Sequence, residues 1–252
     1  MDSIANYYNT YDEDGRLFRD NCHRMEYITT MHYFEKYFSK GDKILDACAG
    51  TGNYSFKLAE LGYQVTAGDL VLHNVDFIRM KNNLNPILDD IYQGSVTDLS
   101  RFDNESFDVV LCMGAFYHMK NEERLAAVKE CLRDLKSNGY LVISYINSVA
   151  TTLASLSDRL ENMEEMLHWY RDNDDSVFLH MSPEEIEQIA KKYNTEIIVH
   201  IATDGMAFLL RDKVNNASPE NFDKWVQFHL DTCEDKSILG SSLHGLIILK
   251  KS

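Results

Sequence analysis

The segment KILDACAGTGNYSFKLAELG, residues 43–62, constrains the fold more than any other stretch of the chain. Ile44, Leu45 and Ala47 form a short apolar run that reads as a buried strand. Gly50 and Gly52 supply a turn, and a helix from about Tyr54 to Leu61 follows, ended by Gly62. Strand, turn and helix in this order open a βα unit, and such a unit must be repeated before it can bury its faces.

The repeat is present. YQVTAGD is a second strand, a helix near residues 73–83 precedes Pro86, and DIYQGSV is a short third strand. FDVVLCMGA is a fourth, strongly apolar strand. Glu122 to Leu135 forms a helix with Asn121 placed to cap it, and YLVISYI is a fifth strand after a turn at Asn138 and Gly139. SPEEIEQIAKKY begins with Ser182 as N-cap, Pro183 at the first helical position and Glu185 completing a capping box. TEIIVHI is a sixth strand, SPENFDKWVQFHL a second Ser-Pro helix start, and HGLIILKK a seventh strand. This alternation predicts an α/β fold: a doubly wound, seven-stranded, mostly parallel sheet with helices on both faces.

Residues 1–40 read as an N-terminal arm and an amphipathic helix, on which Leu17, Met25, Ile28, Met31, Tyr33, Phe34 and Phe38 recur near helical spacing until Gly41. Residues 41–146 form the core of the sheet, and 182–252 its C-terminal part with a second insertion. Between them, residues 147–181 break the rhythm with an acidic helix-like stretch, and an insertion at a strand's carboxyl end is a lid candidate. Its acids from Glu161 to Asp175 read as a solvated face. No Pro-, Gly- or Ser-rich linker divides the chain, so 1–252 is expected to be one domain.

Composition narrows the function. With 40 acidic against 25 basic side chains the net charge is −15, which repels nucleic-acid backbones and anionic membranes. The five cysteines are widely spaced, with no CxxC pair, so neither a disulfide framework nor a zinc site is expected and a reducing, cytoplasmic location is. No run of about 18 apolar residues and no apolar leader occurs. His23, His180, His229 and His244 are scattered without metal-ligand spacing and read as structural or peripheral.

The chemistry is concentrated in LDACAGTG. It places Asp46 at the end of a buried strand before a turn without bulky side chains, where open α/β sheets bind ligands. Strand two ends about twenty residues later in Asp69, placed for ribose hydroxyls. These features fit a nicotinamide dinucleotide or S-adenosylmethionine. The third small position of a dinucleotide fingerprint would be Ser55, a marginal match, and a carboxylate at Asp46 repels a pyrophosphate while suiting an ammonium and a sulfonium.

On these motifs the chain resembles the class I S-adenosylmethionine-dependent methyltransferases of the bacterial small-molecule branch, over about residues 5–250. The resemblance implies the Rossmann-like methyltransferase fold and a glycine turn (Asp46, Ala47, Cys48, Gly50, Gly52) cradling the methionine part of the cofactor. It implies Asp69 and Leu70 at the ribose, Ser95 and Val96 at the adenine, and Met113 beside the cofactor at the end of strand four. Cys48 stands where the family's first motif glycine would be, which fits if its φ is negative. In the N-terminal arm, Tyr8 and Arg16 resemble a closing segment with a cation near the methionine carboxylate. SFDVVLCMGAFYHM resembles the fourth family motif, making Tyr117 and His118 the catalytic candidates. The expected reaction is in-line methyl transfer to a small-molecule acceptor. A nicotinamide-dependent oxidoreductase, a non-catalytic S-adenosylmethionine-binding module and an RNA methyltransferase are the competing readings.

Overall fold

A computed structural model describes residues 2–8, 11–157, 160–172 and 177–252. In chain order the helices are α1 (Asp2–Tyr8), α2 (Glu13–Arg16), α3 (Asn21–Tyr37), α4 (Asn53–Glu60), α5 (Leu72–Leu84), α6 (Asn121–Asp134), α7 (Ser148–Ser157), α8 (Met163–Asp172), α9 (Pro183–Lys192), α10 (Arg211–Asn215), α11 (Pro219–Thr232) and α12 (Lys236–Leu239). The strands are β1 (Lys43–Asp46), β2 (Gln64–Asp69), β3 (Asp90–Gln93), β4 (Phe107–Cys112), β5 (Leu135–Ile146), β6 (Glu196–Ala202) and β7 (His244–Lys250).

They form one sheet in the order β3-β2-β1-β4-β5-β7-β6. The first five strands pair in parallel, and β7 runs antiparallel to both β5 and β6. The order reverses on either side of β1, so a crevice opens beyond the carboxyl ends of β1 and β4. Because side chains alternate across a strand, neighbours face opposite layers. Leu45 and Val110 pack with Ala127 and Cys131 of α6 and Ile186 of α9. Ile44, Val109 and Leu111 pack with Phe34 of α3, Leu58 of α4 and Ile78 of α5 on the other face. Each such fully buried aliphatic or aromatic side chain contributes about 1.5–3 kcal/mol.

The local signals act as their chemistry requires. The Ser182 hydroxyl accepts from Glu185 N (3.2 Å) while Ser182 N donates to the Glu185 carboxylate (2.7 Å), starting α9. Helix α6 differs from expectation by one residue: Asn121 is its first residue and Lys120 the cap, because the Glu123 carboxylate accepts from Lys120 N at 2.9 Å. The insertion leaves and rejoins the sheet at one point, where Asn147 pairs with Met181 and Met181 N donates to the Ile146 carbonyl (2.9 Å). It carries α7 and α8, and the last part of its acidic stretch, residues 173–176, lies outside the described residues.

Candidate active site

The turn after β1 needs left-handed backbone. Gly50 has φ +55° and Gly52 φ +86°, and a Cβ on Gly52 would meet the Phe56 ring at 3.1 Å. Cys48 is outside the left-handed region; among the described residues, the non-glycines there are Glu105, Asn138 and Asn194. The turn therefore accepts a cysteine at this position.

Above it lies a cleft of about 480 Å³, within the range of small-ligand sites. The turn contributes Ala47, Cys48 and Gly50. Asp69 and Leu70 follow from the end of β2, Ser95 and Val96 from the loop after β3, and Met113, Tyr117 and His118 from beyond β4. Tyr8 and Arg16 of the arm close one side. Asp46 and Gly52 do not line it. Asp46 is turned away toward α4, where its carboxylate accepts from the Ser55 hydroxyl at 2.6 Å, and burial pushes its pKa up to about 7 against that bond. Gly52 serves as the N-cap of α4. The expectation that Asp46 presents its charge to the ligand is thus corrected: its position at the strand end is as read, its direction is not.

Asp69 faces the cleft and also braces it. Its Oδ2 accepts from Gly50 N (2.8 Å), and its Oδ1 from Val71 N (2.8 Å) and Asn74 Nδ2 (3.2 Å). Burial raises its pKa to about 6 in spite of these donors. The Ser95 hydroxyl is engaged locally with Thr97 Oγ1 at 2.8 Å.

His118 sits in the 3₁₀ turn Phe116–His118. Its Nδ1 lies 2.6 Å from the Val177 carbonyl, an acceptor only, so Nδ1 carries the proton. Nε2 is then the lone-pair nitrogen, and it accepts from the Tyr8 hydroxyl at 2.9 Å. Burial lowers the imidazole's pKa, partly offset by the Val177 bond, which keeps the ring neutral. Arg124 ties this turn to the returning end of the insertion, donating to the Phe116 carbonyl (2.8 Å) and the Leu179 carbonyl (3.0 Å). The Tyr117 hydroxyl lies over Gly114, and burial raises its pKa.

Among the cleft residues that sequence did not assign to the site are Glu13, Glu26 and His244. Arg16 is gripped by Glu26 in a two-bond fork (2.6 and 3.0 Å) and touches Glu13 at 3.4 Å. Burial would raise the Glu26 carboxyl, but Arg16 and His244 outweigh it and hold it at about 2. His244 bonds Asp204 at 2.7 Å and stands 3.8 Å from Glu26; these two carboxylates raise its pKa over the opposing effect of burial. Of the expected structural or peripheral role, the structural half fits the Asp204 bond, while the ring also lines the cleft. β7 is antiparallel, so its first residue lies at the edge where the parallel strands end. The signal for Glu26 was equally available: it is an acid on the helix face that also carries the buried Cys22, Thr29, Thr30 and Tyr33.

The sequence matches the methyltransferase domain family over residues 45–143, from β1 into β5. It is 30% identical over 195 residues to the ubiquinone biosynthesis O-methyltransferase of Rickettsia typhi, covering 76% of this chain and 75% of that one. The chain belongs to the class I S-adenosylmethionine-dependent methyltransferases. A second relative of the same name, from Xanthomonas euvesicatoria, is 31% identical over 169 residues, covering 64% of this methyltransferase and 68% of the relative. Two solved methyltransferases share the fold. One from Methanosarcina mazei has a TM-score of 0.60 at 17% identity, covering 87% of this chain and 96% of its own. One from Aquifex aeolicus has 0.60 at 12%, covering 98% of each. The methyltransferase uses S-adenosylmethionine, and the cleft fits it: Gly50, whose φ of +55° favours glycine, leaves the turn without a side chain beside Glu13, and a carboxylate ends β2. The Glu13 carboxylate beside the turn opposes a pyrophosphate, which disfavours a nicotinamide dinucleotide.

Proposed function

We propose that this methyltransferase methylates a hydroxyl group of a small molecule, with His118 as the general base. The observation that carries the reading is the His118 Nε2 lone pair, which accepts a hydrogen bond from a hydroxyl, that of Tyr8, at 2.9 Å inside the cleft. The O-methyltransferase name of the relatives supports the same acceptor atom. Ala47, Cys48 and Gly50 would hold the methionine part of the donor, Asp69 and Leu70 the ribose, and Ser95 and Val96 the adenine. Arg16 and Tyr8 would close over it. When bound, S-adenosylmethionine supplies a methyl group already activated on sulfur for in-line displacement.

The acceptor hydroxyl takes the place of Tyr8 at Nε2, and His118 removes its proton as the oxygen attacks. The Val177 carbonyl, on Nδ1–H, favours the imidazolium that results. Buried Met113, which lines the cleft beyond the end of β4, keeps water from the reacting atoms. Among the described residues no helix is long and apolar enough to cross a membrane. We place the protein in the cytoplasm, as one functional unit over 1–252, acting on free small molecules.

Methyl-labelled donor incubated with panels of hydroxyl, amine and thiol acceptors should put label on oxygen; label confined to nitrogen or sulfur overturns the acceptor assignment. In a thermal-shift series, S-adenosylhomocysteine at about 100 times its Kd should add roughly 2.7 kcal/mol of stability, and NADH none. Stabilisation by NADH alone would contradict the donor site. Asp69→Ala should weaken S-adenosylhomocysteine binding by about 1.5–3 kcal/mol, the value of a hydrogen bond to a charged acceptor. It also strips acceptors from Gly50 N and Val71 N, so calorimetry must be run on protein shown to be folded. Unchanged affinity there removes Asp69 from the ribose site.

A further inference from the structure

Arg124, near the start of α6, is buried, and its guanidinium donates to two backbone carbonyls: Nε to Phe116 (2.8 Å) and a terminal nitrogen to Leu179 (3.0 Å). Burying a cation against carbonyl dipoles is costly, and desolvation lowers its pKa, with Glu185 offsetting part of the effect. The two carbonyls belong to different segments. Phe116 opens the 3₁₀ turn that carries His118, and Leu179 lies on the last stretch of the insertion before it rejoins the sheet at Met181. Leu179 N donates to the Tyr117 carbonyl (2.6 Å), so a third bond runs between the same segments. Two residues before Leu179 stands Val177, whose carbonyl lies 2.6 Å from His118 Nδ1.

We propose that Arg124 is a positioning residue for the general base: by clamping the returning insertion to the 3₁₀ turn, it keeps the Val177 carbonyl on Nδ1 and so fixes the tautomer that leaves Nε2 basic. The inference rests on the base role given to His118 above. Tyr8 does not make this choice, because a phenol hydroxyl both donates and accepts and satisfies Nε2 in either tautomer. The Val177 carbonyl only accepts, so the tautomer follows its position. That position is not set by regular structure, since Val177 lies in no helix or strand. What holds this stretch to the turn is Leu179, its N–H on Tyr117 and its carbonyl on Arg124, with the Phe178 ring 5.2 Å from the imidazole. A guanidinium suits the task. Its donors are fixed in one plane, so a single rigid group sets the spacing of the two carbonyls.

The tautomer can be read directly by NMR on protein labelled with ¹⁵N-histidine, the His118 ring being assigned by its loss in His118→Asn. The wild-type ring should show a protonated Nδ1 and a lone-pair Nε2, and Arg124→Gln should show an average of the two tautomers. With the hydroxyl acceptor identified by the labelled-donor panel, kcat of Arg124→Gln should fall roughly tenfold to hundredfold, the scale of a misplaced catalytic group. Calorimetric affinity for S-adenosylhomocysteine should stay near the wild-type value, which certifies the fold. Arg124→Lys keeps the charge without the planar fork and should recover only part of each effect. A single Nδ1–H tautomer retained in Arg124→Gln, or donor affinity falling in step with kcat, would make Arg124 a support of the fold alone and overturn the inference. Full turnover in His118→Ala would instead overturn the base role and with it the catalytic meaning of the clamp. The two failures are separable, because the tautomer is measured without an acceptor.

Discussion

His118→Ala will lower kcat by roughly 10² to 10⁴ and leave donor affinity near the wild-type value, because general-base catalysis acts on the acceptor in the transition state. The geometry behind this is specific. With Nδ1–H held by the Val177 carbonyl, the ring has one tautomer and one direction for its basic nitrogen, which faces the cleft. Burial depresses the imidazole pKa below its ordinary 6.5, so the ring is neutral and basic at pH 7 and is disabled only when protonated at lower pH. The acid limb of the wild-type kcat/KM profile should therefore lie below pH 6.5 and vanish in the variant. Removing the ring also takes one hydrogen bond from the Tyr8 hydroxyl and one from the Val177 carbonyl. A second variant, His118→Asn, offers an amide N–H for Val177 without a basic nitrogen, and it should be better folded yet equally slow. Full turnover in either folded variant would eliminate the base, and a rise in donor Kd without a fall in kcat would make His118 a packing residue.

How much of this could be read from the chain divides along one physical line. Apolar runs and their punctuation are local, so all seven strands, the Ser182 cap and the left-handed glycines were legible, and with them the edge of the sheet where ligands bind. Which way a polar side chain turns at that edge is set by its neighbours in space. Asp46 and Asp69 both end parallel strands beside each other, yet Ser55 on α4 draws one away, while Gly50 N and Val71 N hold the other at the cleft. Glu13, Glu26 and His244 come together from α2, α3 and β7, more than two hundred residues apart in sequence at the extremes. Only the strand order brings them to one place. The start of β7 was within reach all the same: an antiparallel strand closing a parallel sheet begins where its neighbours end.

Arg16→Met will destabilise the protein by about 3 kcal/mol at pH 7, the low end for breaking a buried ion pair by removing one partner. Arg16 and Glu26 side chains are only 18% and 13% exposed, so the loss strands a carboxylate with little water to replace its cation. His244, 3.8 Å away, compensates in part, which is why the low end is expected. The pH dependence separates a charge effect from lost packing. Glu26 has a folded pKa of about 2 against an ordinary 4.5, so its contribution is present above about pH 4.5 and is lost as pH falls toward 2. In the variant, burial without Arg16 pushes that pKa up, and the carboxyl is neutral through the same acidic range. Urea unfolding curves of wild type and Arg16→Met should accordingly converge as pH falls from about 4.5 toward 2, with the gap already clearly smaller at pH 3. Adding Glu26→Gln to Arg16→Met should recover part of the stability at pH 7, because no unpaired charge then remains buried, but none of the affinity for S-adenosylhomocysteine. A stability gap that persists unchanged to pH 3, together with no recovery in the double variant, would show that Arg16 supports the fold through its apolar stem and not through its charge.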